Sequence, residues 1–226
     1  MPPPSRHPGF RGGTRLWLLR HAEVDPAWQG RAYGDLDVPL SAEGEETTLA
    51  VGRAFEGASV ERVLASPLAR AHRLGAEVAR AAGAPLETFD GLREIFRGDW
   101  QGRVTAELER DDPEGVRAFY ADPWGYRGHG GECDEEILAR AWPAVERAAS
   151  AARESDGFGD APRTVVLATH YNVIRVLATH MLGLDPARSF AFRVDTGRCT
   201  LFIDEPEGWV LRTSNAASPR AAEAPA

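Results

Sequence analysis

Short apolar runs alternate with longer amphipathic stretches along this chain. Residues 14–19 (TRLWLL) form a mostly apolar run that stops at the polar pair Arg20-His21, the pattern of a buried strand. Ser41 then caps a helix that carries acidic residues in its first turn. Leu49, Val51, Ala54 and Phe55 follow at helical spacing to an end near Gly57. A second strand is read at 60–65. Ser66-Pro67 follows it, with Pro67 in the first turn of a helix that reaches about Ala82. Residues 85–89 give a third strand, and 164–168 (TVVLA) a fourth, closed by Thr169-His170 and followed by a helix from Asn172 to about Leu182. Strands at 189–195, 199–204 and 209–212, with turns at Gly197 and Gly208, complete the set. Between 132 and 153 a helix turns Ile137, Leu138, Ala141, Trp142 and Val145 to the core, with Pro143 as a kink point. The alternation predicts an α/β fold with a mostly parallel central sheet flanked by helices.

The 226 residues suit one domain, placed at 14–213 between Pro-, Gly- and Ala-rich tails at 1–13 and 214–226 that are expected to be flexible. Residues 97–131 break the pattern: Trp100, Phe119, Tyr120, Trp124 and Tyr126 are mixed with glycine, proline and charge. A helical and loop cap over one end of the sheet is expected there. No apolar run is long enough for a membrane span and no signal peptide is read. With a net charge of −8 and scattered basic residues, nucleic acid and anionic lipid are excluded as main partners. Cys133 and Cys199 form no metal or redox pair, which places the chain in a reducing cytoplasm. All 26 basic residues are arginine, so a lysine-dependent mechanism is excluded.

Three strand ends each deliver a cation or an imidazole: Arg20-His21, Ser66 to Arg70, and Thr169-His170. In an open α/β sheet ligands bind beyond the carboxyl ends of the strands, so these groups converge on one place. Two arginines and two histidines there make a cradle for a phosphate dianion. One imidazole can attack phosphorus while the other donates to the phosphoryl oxygens, and Glu94, just after the third strand, can protonate a leaving alkoxide. The remaining histidines lack a metal-ligand spacing, and no metal or cofactor is expected. Within the cap, His129 and Trp100 are the residues that could face substrate.

These residues resemble the histidine phosphatase (phosphoglycerate mutase-like) superfamily. The segment LWLLRHAE is similar to its Arg-His-Gly-Glu strand end, with Ala22 for glycine. GRAYGDLDVPLSAEG, ASPLARA, LREIFRGDWQG, GHGGECDEE and ATHYNVIRVLATHMLG resemble its later segments in order, with Cys133 for a serine and Tyr171-Asn172 for a pair of glycines. The resemblance implies a three-layer fold, His21 as nucleophile, Arg20, Arg70 and His170 as phosphate ligands, and Glu94 as acid/base. Arg31 lies in one of the matching segments and is a candidate further phosphate contact, with bracing of its loop as the other reading. The resemblance implies a metal-independent hydrolase of a small phosphorylated metabolite, similar to α-ribazole and broad-specificity phosphatases. A phosphoglycerate mutase and a non-catalytic phospho-ligand or protein binder are the alternatives, and a homodimer is allowed.

Overall fold

The computed structural model describes residues 13–153 and 163–219. Its centre is a six-stranded sheet of β1 (Thr14–Arg20), β2 (Arg62–Ala65), β3 (Leu86–Thr88), β4 (Arg163–Thr169), β5 (Cys199–Glu205) and β6 (Gly208–Ala216), in the order β3-β2-β4-β1-β5-β6. The first four strands in that order are parallel, and β5 and β6 join antiparallel. Helices α1 (Ala42–Arg53), α2 (Ala69–Ala82), α5 (Asp134–Arg153) and α6 (Tyr171–Met181) cover the sheet, and α3 (Thr105–Asp111) and α4 (Pro113–Ala121) belong to the cap.

The two-residue period of a strand sorts the core into two layers. Leu16 and Leu18 of β1, with Leu64, Val165 and Leu167, pack against α5, α6 and the cap residues Trp100 and Phe119. Trp17 and Leu19, with Val63, Val166 and Ala168, meet Val51 and Phe55 and the α2 residues Leu74 and Val78 on the other face. Each of these leucines contributes roughly 2 kcal/mol by burial. The strand ends that carry the polar residues are thereby fixed as one rigid edge.

Three expectations are corrected. Pro67 lies before α2, not in its first turn: Ser66 Oγ takes the Leu68 N–H (3.2 Å), Asp37 takes the Ala69 N–H (2.8 Å), and the helix begins only at Ala69. Residues 189–195 form no strand. Pro186–Ala191 is a 3-10 turn capped by Asp185, and the Ser189 side chain is engaged by buried Arg175 (2.7 Å). Residues 214–216, expected to belong to a C-terminal tail, lie in β6, where Asn215 bonds the main chain and carboxylate of Asp195 (2.7 and 2.9 Å). Residues 1–12 and 220–226, the rest of the expected tails, lie outside the described residues. Helix α5 runs unbroken through Pro143.

The cap leaves and rejoins the core at one point. Phe96 N–H donates to Glu132 Oε2 and Glu132 N–H to Phe96 O, both at 2.9 Å. Gly98 makes the turn at φ +53°, where an added Cβ would sit 2.0 Å from His129 O.

Candidate active site

Strand register places the two histidines side by side. Arg20 of β1 pairs with Thr169 of β4, so the next residue of each chain, His21 and His170, leaves the sheet at the same level. Their ring centroids are 5.1 Å apart and both side chains are buried. His21 Nδ1 lies 2.7 Å from Ala22 O, which fixes the proton on Nδ1 and leaves the lone pair on Nε2. Arg70 Nε points at that nitrogen from 3.4 Å. Burial and the charges of Arg70 and Arg20 hold the His21 pKa well below its ordinary value, so the ring is neutral and nucleophilic at pH 7.

Ser66, where β2 ends, sets the second ring. Its Oγ accepts the Leu68 N–H and lies 2.7 Å from His170 Nε2, so its hydroxyl proton can point to that nitrogen. His170 then carries its proton on Nδ1, which is buried without a hydrogen-bond partner among the described residues. Burial, Arg70 and His21 also lower the His170 pKa well below the usual range. A buried nitrogen left without a partner beside the arginine-facing Nε2 of His21 is an arrangement that an anionic oxygen completes.

Both arginines are braced by main-chain carbonyls. Arg70 gives one N–H each to Leu36 O (2.7 Å) and Gly34 O (2.8 Å), and Tyr33 lies against its guanidinium at 5.2 Å. Five donors on that fork leave two free after the bond toward His21. Arg20 donates to Val194 O at 2.5 Å and stacks on Tyr171 at 5.3 Å, while its buried Nε has no partner among the described residues.

Glu94 is buried, with Oε1 accepting the Ile95 N–H (2.9 Å) and Oε2 facing the Asn172 N–H of α6 (3.4 Å). Arg140 of α5 clamps the turn that carries it, donating to Gly91 O (2.7 Å), Arg93 O (2.7 Å), Glu94 O (3.2 Å) and both carboxylate oxygens of Glu132. Thr169 Oγ1 holds the same turn through Leu92 O at 2.6 Å. Behind it, Arg175 forms a buried ion pair with Asp134 (2.5 and 2.7 Å) and bonds Asn172 Oδ1.

His21, Arg20, Arg70, His170 and Glu94 are thus brought together at one edge. Arg31 makes its hydrogen bonds elsewhere, donating to Ala27 O (3.0 Å) and Gly102 O (3.1 Å) in an exposed stretch. His129 and Trp100 are buried inside the cap, with ring centroids 4.7 Å apart, and pack with Phe119 and Tyr126. His129 Nδ1 accepts the Gly131 N–H, and its pKa is lowered to about 4 by burial and by Arg97. Ala22 and Cys133 fit without distortion: Ala22 is buried at an ordinary φ, and Cys133 N–H bonds Glu136 at the start of α5. Sequence reasoning missed Arg140, Ser66, Asp134 and Arg175. Charged residues on a helix, such as Asp134, Arg140 and Arg175, read as a solvated face, and Ser66 reads only as the end of a strand; nothing local marks these as buried. Among the described residues no group of three His, Cys, Asp or Glu could hold a metal ion, and no helix is long and apolar enough to cross a membrane.

Comparison with known proteins gives the following. Residues 16–217 match the model of the histidine phosphatase superfamily (branch 1). The glucosyl-3-phosphoglycerate phosphatase of Mycobacterium tuberculosis is 30% identical over 173 residues, 76% of this chain and 77% of that protein. The adenosylcobalamin/alpha-ribazole phosphatase of Escherichia coli K12 is 29% identical over 190 residues, 84% and 89% of the two chains. The native structure of the mycobacterial glucosyl-3-phosphoglycerate phosphatase superposes with a TM-score of 0.80 at 28% identity, covering 90% of this chain and 99% of that one.

Proposed function

Because this chain belongs to the histidine phosphatase superfamily (branch 1), we propose that it hydrolyses a phosphomonoester of a small metabolite at His21. One arrangement carries the proposal: His21 Nε2 faces Arg70, and in the neighbouring ring, 5.1 Å away, the buried His170 Nδ1 has no hydrogen-bond partner among the described residues. The phosphoryl group sits among Arg20, Arg70 and His170, whose N–H groups meet its three oxygens as charge spreads over them. His21 Nε2 attacks phosphorus and the bond to the leaving oxygen breaks. Glu94 gives that oxygen its proton. In the second half-reaction Glu94 takes a proton from water, whose oxygen attacks phosphorus. The P–N bond breaks, and inorganic phosphate leaves with His21 neutral again.

The edge suits this task electrostatically. Two guanidiniums, Arg70 buried and Arg20 half-buried, match a dianion, and both are already oriented by carbonyls, so little reorganisation is needed when phosphate enters. The lowered pKa of His21 keeps it nucleophilic at neutral pH, and only acidification well below pH 6.5 would protonate it. Relatives whose names give glucosyl-3-phosphoglycerate and alpha-ribazole compounds as substrates support a small organic phosphate as the substrate class. The buried free thiols of Cys133 and Cys199 support a reducing cytoplasm.

The test is hydrolysis of p-nitrophenyl phosphate in EDTA, which His21→Ala is expected to abolish. Brief acid-free quenching with labelled substrate should trap a base-stable, acid-labile phosphoenzyme. Full turnover by His21→Ala, or label on serine or aspartate, would refute the proposed route.

A further inference from the structure

Arg97 is the cation that the phosphate cradle leaves unused. It lies three residues beyond Glu94, where the cap begins, and its backbone is fixed by Arg97 N–H to Gln101 Oε1 (2.9 Å) and Trp100 N–H to Arg97 O (3.1 Å). The stem crosses Gly34 so closely that a Cβ there would be 2.9 Å from Arg97 Cγ. Gly34 O is the carbonyl that holds Arg70, so the stem passes directly over the loop that orients the phosphate arginine. The guanidinium lies on the face of Phe119, 4.8 Å from its centroid.

Its electrostatic neighbours are Glu94, Arg175, Tyr120 and Asp134, with Glu94 the strongest. Asp134 is already paired with Arg175, and Glu94 already accepts from Ile95 and faces Asn172. No acceptor among the described residues comes within hydrogen-bond distance of the Arg97 guanidinium, whereas Arg20, Arg31, Arg70, Arg140 and Arg175 each donate to named carbonyls or carboxylates. An arginine ordered by stacking, with its planar fork unmet, is prepared for a planar or tetrahedral anion. The leaving group must reach Glu94, the strongest electrostatic neighbour of that fork, to be protonated.

Resting on the hydrolase reading, we propose that Arg97 binds a second anionic group carried on the leaving alcohol. The enzyme then prefers phosphomonoesters that also bear a carboxylate or a second phosphate over those whose alcohol is uncharged. Tyr171 lies against Arg20 and Arg175 at 5.3 and 6.0 Å and has Glu94 among its electrostatic neighbours.

Two ratios of kcat/KM test this: 3-phosphoglycerate over glycerol 3-phosphate for a carboxylate, and fructose 1,6-bisphosphate over fructose 6-phosphate for a phosphate. The native enzyme should favour the anionic member of at least one pair by about ten-fold or more, the scale of hydrogen bonds to a charged group. Arg97→Met, which keeps the stem, should lower that ratio about ten-fold or more, chiefly through KM. Arg97→Lys, which keeps the charge, should recover part of it. Which ratio responds identifies the anion. Ratios near one in the native enzyme, ratios unchanged by Arg97→Met, or Arg97→Lys no better than Arg97→Met would each overturn the proposal while p-nitrophenyl phosphate hydrolysis persists. Loss of that hydrolysis in the native enzyme would overturn the hydrolase reading and this proposal together.

Discussion

Replacing Arg140 with methionine should damage both stability and turnover, because one side chain holds the turn that carries Glu94. Arg140 donates to three main-chain carbonyls at 2.7, 2.7 and 3.2 Å and to both oxygens of Glu132 at 2.8 and 2.9 Å. Its side chain is 14% exposed, so solvent replaces few of those bonds. Hydrogen bonds to a charged group contribute about 1.5–3 kcal/mol each. The three carbonyl bonds act on one turn and are not additive, and Glu132 keeps the Phe96 N–H and the nearby Arg93. A total near 3–5 kcal/mol follows, the usual cost of removing one partner of a buried pair. Urea denaturation should therefore show a midpoint lower by about 1–2 M. A carboxyl displaced by about 1 Å costs roughly a hundred-fold in kcat, whereas competitive inhibition by inorganic phosphate, which reads Arg20, Arg70 and His170, should change much less. A loss under about 1 kcal/mol together with kcat near the native value would refute the clamp as the device that places Glu94.

Three further outcomes are expected. His129 is neutral in the folded protein, with a pKa of about 4, and returns to about 6.5 on unfolding, so the unfolded chain binds more protons between those values and stability falls as pH drops through that window. Denaturation at pH 7.5 and 5 should differ by ~1–3 kcal/mol from this residue, and His129→Phe should reduce the difference. Gly98→Ala should cost ~2 kcal/mol or more, through a positive φ and a Cβ 2.0 Å from His129 O, while Gly30→Ala, also at positive φ but in open space, should cost only ~1 kcal/mol in thermal unfolding. Arg31→Ala should keep kcat/KM for p-nitrophenyl phosphate within about three-fold, as suits hydrogen bonds made in water; a larger KM effect would restore Arg31 as a phosphate contact.

The residues that made the site legible are those that end strands. His21, Arg70 and His170 each follow an aliphatic run, and parallel register then forces adjacency, so the order of segments along the chain carried spatial information. Glu94 was found for the same reason. Arg140, Asp134 and Arg175 were hidden because helical periodicity reports which face is apolar, not which polar residue on the other face is later covered by a cap. The alternation of Phe190, Phe192 and Val194 imitated a strand. The sheet order places β5 beside β1 instead, and Phe190 goes to the aromatic cluster with Phe119 and Tyr120. Side chains determined that outcome from elsewhere in the chain, beyond the range of a local pattern.

The meeting of Phe96 and Glu132 makes the intervening segment a detachable loop in the topological sense. Its exit and re-entry share two reciprocal main-chain and side-chain bonds at 2.9 Å, so its contents can lengthen, shorten or be exchanged while the strand ends stay fixed, provided that groups equivalent to Trp100 and Phe119 still fill the core beneath it. On the proposed reading, bond breaking belongs to the sheet edge and the choice of alcohol to the excursion above it. Grafting a different 97–131 between the same two anchors would then redirect such a catalyst to new substrates with its nucleophile unchanged, and natural diversification of such enzymes has the same route open to it.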